Sequence, residues 1–162
     1  MRIDTVSAQD IPQDVKDFLY EYLYKPWGVA YEIDWLSAGD GGEFLIARDE
    51  DGILLGTTRI MPSDDGSVGH PTPPECAGER RLRQVLVDPA LRGQGIGSKL
   101  MQVAETRVLE LGIDKTGVAA RCEAYDFYLS QGYSFFGDEY ISQLTHIPHT
   151  HMSKDLEHPK NS

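Results

Sequence analysis

A mixed α/β (α+β) fold is predicted from three features of this 162-residue sequence. A strand–loop–helix–strand–helix pattern occupies residues 81–132, a hairpin pattern precedes it, and a strand-rich segment follows it. No internal repeat interrupts this order, and the length suits one domain with its own core. We therefore expect a single domain over residues 1–153 and a flexible, polar C-terminal tail over residues 154–162.

Composition and charge narrow the classes of function. The chain is 40% hydrophobic and 25% charged, and it has no apolar run of about 18 residues that could cross a membrane. Its first residues are polar and acidic, where a secretory signal needs an apolar stretch. A formal net charge of -11 argues against a general nucleic-acid binder, which needs a basic face. The acidic surplus fits simple solubility, or attraction of amines and Lys-rich segments.

The cysteines indicate the compartment. Cys76 and Cys122 are far apart and lack the spacing of a metal site, so we expect free thiols in a reducing cytoplasm. A cytoplasmic protein with no metal, and with no nucleic-acid or membrane partner, is the resulting expectation.

The N-terminal half predicts one helix and one hairpin. IPQDVKDFLYEYLYKPW carries an apolar stripe that Pro26 ends, made of Val15, Phe18, Leu19 and Leu23. In GEFLIARDEDGILLGTTRIMP two apolar arms flank Glu50-Asp51-Gly52, and the Asp-Gly pair predicts a β-turn. Residues 62–79 are rich in Pro, Gly, Ser and Asp, and we interpret them as a mobile surface loop.

The second half continues with strands and helices in alternation. RLRQVLV, residues 81–87, predicts a strand that Asp88-Pro89 ends. After three glycines, apolar residues at helical spacing lead to a stop at Gly112; they are Ile96, Leu100, Val103, Ala104, Val108 and Leu111. TGVAARC predicts a strand, EAYDFYLSQ a helix that Gly132 ends, and YSFFGDEYISQLTHI one or two more strands.

The segment DPALRGQGIGSKL, residues 88–100, carries the main functional signal, because three glycines alternate just before a predicted helix. A helix N-terminus offers unpaired N–H groups and about half a positive charge. Glycines let an anion approach those amides closely, and Arg92 and Lys99 add formal charge. The expected ligand is a phosphate or pyrophosphate, since a simple strand-to-helix turn needs only one glycine.

Two familiar phosphate loops fit this segment poorly. A dinucleotide-binding G-x-G-x-x-G loop needs a third glycine at an offset that this chain does not fill, and it follows its strand more directly. A Walker A loop needs a Gly-Lys-Ser/Thr ending, which is absent from the segment.

A third pattern fits better. Arg92, Gly95 and Gly97 fill R-x-x-G-x-G, and about thirty residues later Ala124 to Tyr133 fill A-x-x-F-Y-x-x-x-G-Y. Together with the helix and strand between them, these motifs resemble the GNAT acetyltransferase superfamily over residues 81–135. The ending GDEYISQLTHIPHTHM is similar to a subgroup whose last strand carries an I-P-H-x-x-M segment.

This resemblance implies a fold, a cosubstrate and roles for individual residues. The implied fold is a mixed, mostly antiparallel sheet flanked by helices and splayed at the acetyl-CoA site. Strand 81–87 would pair with the pantetheine arm and offer an N–H to the thioester oxygen, and the loop would hold the pyrophosphate. The implied cofactor-binding residues are Val85, Leu86, Val87, Arg92, Gly93, Gln94, Gly95, Ile96, Gly97 and Ser98. Tyr128 would be the catalytic acid that protonates the departing CoA thiolate.

The general base is left open. Freeing a Lys-like amine with a pKa near 10.4 at pH 7 costs about 4–5 kcal/mol, so a base, a water chain or an acceptor of low pKa must share that cost. Many family members carry a Glu on the strand before the loop, where this chain has Arg81, Arg83 and Gln84. Glu79 beside the strand and His149 in the I-P-H segment are the two candidates.

Two other features concern the site. Arg121 stands near the position where relatives often carry an Asn that touches the cofactor, so we expect that contact to be lost or replaced. His146, His149 and His151 form an H-x-x-H-x-H pattern with no cysteine nearby in the sequence. Such histidines indicate a surface or pocket cluster more than a metal site.

The predicted function is acetyl-CoA-dependent N-acetyl transfer to a primary amine of a small molecule or peptide by direct attack. A non-catalytic CoA-binding or partner-binding module is the alternative, and a phosphate-ligand sensor, which has no need of Tyr128, is a third. Residues 18–35 and 63–78 are expected to form the acceptor side. Their aromatic residues fit either an apolar pocket or core packing: Tyr20, Tyr22, Tyr24, Trp27, Tyr31 and Trp35. Monomer and homodimer both remain open.

Overall fold

One seven-stranded sheet organises the computed structural model, which describes residues 1–31, 42–62, 70, 72–143 and 145–157. The strand order is β1-β2-β3-β4-β5-β7-β6. The strands are β1 Arg2–Ser7, β2 Glu43–Arg48, β3 Leu54–Pro62, β4 Arg80–Val87, β5 Lys115–Arg121, β6 Ser134–Ile141 and β7 Pro148–Asp155. The α-helices are α1 Gln13–Leu19, α2 Ile96–Glu110 and α3 Tyr125–Ser130.

The sheet is antiparallel except between β4 and β5. These two strands run parallel and pair over only three positions, from Arg80 opposite Thr116 to Leu82 opposite Val118. Beyond Leu82 the two strands separate, as shown by the lack of further pairs between β5 and the rest of β4. The predicted mixed, mostly antiparallel sheet flanked by helices is therefore confirmed, and the separation opens a gap in its middle.

Helix α2 covers one face of the sheet with its apolar stripe. Its buried side chains are Ile96, Leu100, Met101, Ala104 and Val108, and they join the main core cluster with Leu82 and Val118. The predicted stop at Gly112 is confirmed by a φ of 82° immediately after the helix. Leu111, predicted as part of the stripe, is 39% exposed because it is the C-cap and lies past the last turn.

Helix α1 packs on the opposite face, where Val15 and Leu19 are fully buried with Leu86. The predicted helix over residues 11–27 is realised in three pieces: α1, a π-helical segment at Tyr20–Tyr24 and a 3-10 turn at Lys25–Trp27. Pro26, predicted to end the helical run, lies within the last 3-10 turn, and the run ends instead at Gly28, whose φ of 74° is left-handed.

The predicted hairpin is β2 and β3, joined through a turn in which Gly52 has a φ of 82°. Strand β1 was not predicted, because it is an edge strand with no buried residue and so has a weak apolar pattern. Of the predicted mobile loop, residues 63–69 and 71 lie outside the described residues, and Pro74–Cys76 form a 3-10 turn.

The predicted boundary of the C-terminal tail is wrong at its start. Lys154 and Asp155 are the last residues of β7, not tail. The Lys154 ammonium donates at 2.8 Å both to the Glu105 carboxylate and to the Gln131 carbonyl oxygen. Among the described residues, no helix has the length and apolar character needed to span a bilayer.

Candidate active site

The gap between β4 and β5 opens into a cavity of about 650 Å³. Its walls come from β4, the glycine loop, the first turn of α2, the end of β5, α3 and β7. Tyr128 lines it, together with nine of the ten predicted cofactor-binding residues: Val85, Leu86, Val87, Arg92, Gly93, Gly95, Ile96, Gly97 and Ser98. The exception is Gln94, which is exposed and does not line the cavity.

A bulge in β4 shapes the floor of this cavity. Gln84 has a φ of 45°, and the pairing with β3 skips from Thr57–Leu86 to Arg59–Arg83. Residues four apart in a regular strand share a face, yet Leu82 packs with α2 and Leu86 packs with α1. The Thr57 hydroxyl donates to the Gln84 carbonyl oxygen at 2.8 Å, which holds the bulge in place.

The glycine loop leaves the N-terminus of α2 uncapped. Gly95 is the N-cap, with no side chain to accept from the first turn, and its φ of 81° is left-handed. The first backbone bond at this end runs from the Lys99 N–H to the Gly95 carbonyl oxygen at 3.1 Å. No carbonyl group lies one turn back to accept from the N–H groups of residues 96–98. Together with the helix dipole, these groups are suited to binding an anion.

The three glycines of the loop serve different physical needs. Gly93 and Gly95 have φ values of 83° and 81°, and a Cβ added at either would meet no heavy atom within 4 Å. Gly97 lies inside α2, where an added Cβ would come 3.2 Å from two ring carbons of Phe127. Two glycines thus set backbone direction, and the third lets α2 approach α3 closely.

Tyr128 presents a neutral phenol to the cavity. It is 8% exposed, and its ring packs edge-on against Phe127 and Tyr133, with centroids 5.2 and 5.8 Å away. Its hydroxyl has no hydrogen-bond partner within the described part of the chain, whereas the Tyr133 hydroxyl lies 2.8 Å from the Thr116 hydroxyl and donates to Glu105. Burial raises the Tyr128 pKa well above its usual value, with a partial offset from the Arg121 charge. The phenol therefore retains its proton at neutral pH.

His149, one of the two candidate bases, lines the same cavity and is 5% exposed. Its Nδ1 lies 2.9 Å from the Ile147 carbonyl oxygen. That oxygen can only accept, so the neutral ring carries its proton on Nδ1 and leaves Nε2 as an acceptor. Burial lowers the His149 pKa, which keeps this neutral form populated.

Glu79, the other candidate, does not line the cavity. It is 5% exposed, and its carboxylate accepts from His151 Nε2 at 2.9 Å. Of the two bases that the sequence left open, the structure therefore brings only His149 to the cavity.

His146, His149 and His151, interpreted from sequence as a surface or pocket cluster more than a metal site, do not come together as a metal-binding group in the described residues, but His151 has other neighbours. Cys76, Glu79 and His151 each offer a ligand atom, all within 4.8 Å of one another, although Cys76 is distant in sequence. His151 Nε2 is already engaged with Glu79, and burial raises the Cys76 pKa so that its thiol stays protonated. These contacts describe a hydrogen-bonded buried cluster, and the absence of a metal stays a prediction.

The acceptor side of the cavity contains features that the sequence only partly indicated. Tyr22 and Tyr24 line it, as expected for the acceptor side, whereas Tyr20, Trp27 and Tyr31 do not, and Trp35 lies outside the described residues. The Tyr24 hydroxyl accepts from the Gln84 side-chain amide at 2.9 Å. The sequence named Tyr24 only among the acceptor-side aromatic residues and Gln84 only as a departure from the family's Glu, and no local motif links these positions, which are 60 residues apart.

Arg121 also lies in this wall, opposite His149 in the β5–β7 register. Its guanidinium carbon is 5.2 Å from the centroid of the Trp27 ring. The sequence marked this arginine only as a departure from the family's usual residue, and the structure places it beside a candidate base.

Comparison with known proteins decides the family. The model of the acetyltransferase (GNAT) domain matches residues 6–156. The chain belongs to the GNAT acetyltransferase family. The predicted family and enzyme class, an N-acetyltransferase, are thereby confirmed, and family membership implies acetyl transfer from acetyl-CoA.

Individual relatives support this assignment. The chain is 32% identical over 114 residues to the UPF0039 protein C11D3.02c of Schizosaccharomyces pombe, covering 69% of this chain and 67% of that protein. An acyl-CoA N-acyltransferase from Pseudomonas aeruginosa has a similar structure, with a TM-score of 0.72 and 20% identity over 94% of this chain and 98% of that one. An aminoglycoside 6'-N-acetyltransferase solved with coenzyme A has a TM-score of 0.70 and 17% identity, covering 99% of this chain and 100% of that chain.

Proposed function

We propose that this GNAT protein transfers an acetyl group from acetyl-CoA to a primary amine of a small molecule or peptide by direct attack. One observation carries the proposal: a single cavity joins an uncapped helix N-terminus to the hydroxyl of Tyr128 and the imidazole of His149. An anion site alone would explain binding, and a buried phenol alone would explain packing. Their shared cavity is what a group transfer requires.

The residues present are suited to acetyl-CoA. The free N–H groups of residues 96–98 and the Arg92 guanidinium would bind the pyrophosphate. The β4 edge at Val85–Val87, unpaired with β5, would offer backbone groups to the pantetheine arm as a neighbouring strand would. When bound, acetyl-CoA supplies the acyl group as a thioester.

The proton balance assigns roles to two side chains. The amine nitrogen forms a bond to the acetyl carbon and loses one proton, while the carbon–sulfur bond breaks and the thiolate gains one. His149 Nε2 accepts the proton of the amine, directly or through a water, and the Tyr128 hydroxyl donates to the sulfur. The neutral states of both groups, maintained by burial, are those that this transfer needs.

A product assay tests the proposal. The purified protein is incubated with acetyl-CoA and with panels of amino acids, aminoglycosides, polyamines and peptides, and N-acetylated products are identified by mass alongside released CoA thiol. We expect at least one acceptor to yield stoichiometric product and thiol. Tight CoA binding with no product above the rate without protein, for every acceptor, would instead support the non-catalytic module.

A further inference from the structure

Arginines outnumber acidic residues among the described residues that line the cavity, although the chain as a whole is strongly acidic. The sequence has 26 acidic residues against 15 Lys and Arg, yet among the described residues that line the cavity four are arginines and one, Glu123, is acidic. The arginines are Arg81, Arg83, Arg92 and Arg121. A partly buried arginine is stabilised by a nearby anion, so a cavity lined by arginines is suited to a ligand that carries negative charge.

The pyrophosphate would neutralise only one end of the cavity. Arg92 lies in the glycine loop, next to the uncapped N-terminus of α2. Arg121 lies three residues past Val118, the last β5 residue paired with β4, and so belongs to the far wall of the gap. Arg83 precedes the bulge in β4 and also lines the cavity.

Arg121 is held in place without being neutralised. Within the described residues no carboxylate lies within 4.0 Å of its guanidinium, and the guanidinium carbon lies over the face of the Trp27 ring, 5.2 Å from its centroid. Aromatic stacking leaves the planar fork of an arginine free to bind a carboxylate with two parallel hydrogen bonds.

The position of Arg121 relative to the candidate catalytic groups limits the class of acceptor that can bind in the cavity. The positive charge of Arg121 acts to lower the pKa of both Tyr128 and His149, although burial raises the Tyr128 pKa overall. Its field therefore reaches both ends of the proposed proton transfer. A fixed positive charge there disfavours an ammonium and promotes the neutral amine that attacks. An acceptor bearing only positive charge would therefore be repelled unless it brought a negative group of its own.

We propose that the acceptor is an amine that also carries a carboxylate, as in a free amino acid, and that Arg121 binds this carboxylate. The proposal rests on the acetyl transfer proposed above and names its substrate class. It disfavours polyamines and aminoglycosides, which carry no anionic group.

Matched acceptors test the proposal directly. Each free amino acid, and each linear ω-amino acid up to six carbons, is compared with its primary amide, which keeps the amine but lacks the charge. Each kcat/KM value is calculated from the concentration of the neutral amine, because converting the acid to its amide changes the pKa of the amine. We expect the acid to exceed its amide by about 10- to 100-fold, the range for a charged hydrogen bond in a desolvated site.

Arg121 variants assign that preference to one side chain. Arg121→Gln should remove the preference by lowering kcat/KM for the acids alone, and Arg121→Lys should retain part of it. Arg2→Gln, an exposed arginine paired with Asp4 on β1, is the matched control and should leave the preference unchanged. Equal kcat/KM for acids and amides in the wild type would overturn the proposal. So would an Arg121→Gln effect confined to the KM of acetyl-CoA, with the preference for acids intact.

A binding measurement separates this proposal from the proposed function. Calorimetry with the CoA-loaded protein compares N-acetyl amino acids with their amides, in the wild type and in Arg121→Gln. A preference for the acids that Arg121→Gln abolishes supports the anion site even if no acceptor is acetylated, in which case only the proposed function fails. Absence of that preference in the wild type overturns the anion site, whether or not transfer occurs.

Discussion

The two ends of the active-site cavity are built by different means. The donor end is made of backbone: a β4 edge, two left-handed glycines and the bare first turn of α2, all within residues 85–98. The acceptor end is made of side chains brought from distant parts of the chain, including Tyr24, Gln84, Arg121 and His149. A backbone site is encoded by the local sequence, whereas a side-chain site exists only once the sheet has formed.

This difference explains why one end can be common to a family while the other varies. Acetyl-CoA presents the same phosphates and pantetheine arm to every family member, so glycines and a helix N-terminus suffice. The acceptor differs, and the side chains that meet it can change without disturbing β4 or α2. Experiments that alter one end and measure the other will show how independent they are.

Tyr128→Phe should have the largest effect, because the proposed function makes the Tyr128 hydroxyl the acid for the departing thiolate. Loss of the acid should lower kcat by about 10² to 10⁴ while leaving CoA affinity nearly unchanged, as measured by steady-state kinetics and calorimetry. Tyr125→Phe is the matched control on the same helix: its hydroxyl contacts Thr150 and Glu139, and it does not line the cavity. An unchanged kcat in Tyr128→Phe would remove this residue from the chemistry.

His149→Gln should have the second-largest effect, and this effect should be confined to the acceptor end. We expect kcat/KM to fall by about 10² with CoA affinity retained. Because burial lowers the His149 pKa, the acid limb of the wild-type kcat/KM profile should lie below the ordinary value of about 6.5. A His149→Gln profile that keeps the same acid limb would assign that limb to another group.

The same shift predicts a pH effect on stability. Folded His149 binds its proton more weakly than the unfolded chain does, so the wild type should lose stability as pH falls through about 6.5. Above that pH both states are neutral and this penalty vanishes. The free energy of unfolding of the wild type and of His149→Gln is measured between pH 5 and 8. Only the wild type should lose stability toward the acidic end through this residue.

Gly95→Ala should weaken the donor end alone. A left-handed φ of 81° costs an alanine about 1–2 kcal/mol, and relief of that strain turns the first N–H groups of α2 away from the anion. We expect CoA to bind about tenfold more weakly, a loss of about 1.4 kcal/mol, by calorimetry. Gly112→Ala, with φ of 82° at the other end of α2 and nothing within 4 Å of an added Cβ, is the matched control. An equal change in CoA affinity in both variants would mean that the loop acts only through stability.

The sequence was informative where structure depends on neighbours in the chain. Residues 81–132 contain periodic apolar positions and glycine stops, so β4, α2, β5 and α3 could all be predicted, together with the loop between the first two. Edge strand β1 has no fully buried residue and offered only a weak apolar pattern. Lys154 looked like a polar tail because its partners, Glu105 and Gln131, come from elsewhere in the fold.

The candidate site residues also divide into those that local sequence could predict and those that depend on distant parts of the chain. The phosphate loop and Tyr128 belong to contiguous motifs, and both line the cavity. The sequence could not choose between Glu79 and His149 as the candidate base, because which of them reaches the cavity depends on the folded sheet. Glu79 meets His151, and His149 meets the cavity. The bulge at Gln84 was equally hidden, since a non-glycine residue with φ of 45° has no sequence signature.

A substitution that weakens this bulge should have the smallest effect of those considered. It is also the most informative one, because the bulge lies in a strand shared by both ends of the cavity. Thr57→Val keeps the volume of a fully buried side chain and removes the hydroxyl that donates to the Gln84 carbonyl. One such lost bond should lower the free energy of unfolding by about 1–3 kcal/mol, measured by urea denaturation. The KM values for acetyl-CoA and for the amine should both rise modestly.

Thr58→Val supplies the control for that experiment. Thr58 is equally buried, but its hydroxyl donates to the carbonyl oxygen of Thr57, its own neighbour, and not across to β4. A similar loss of stability with unchanged KM values is therefore expected. If Thr57→Val raises the KM of only one substrate, the bulge serves that end alone, and the two ends are less coupled than the shared strand implies. If both variants leave every KM unchanged, the backbone of β4 keeps its bulge without this hydrogen bond, and the register shift itself is enough to shape the cavity.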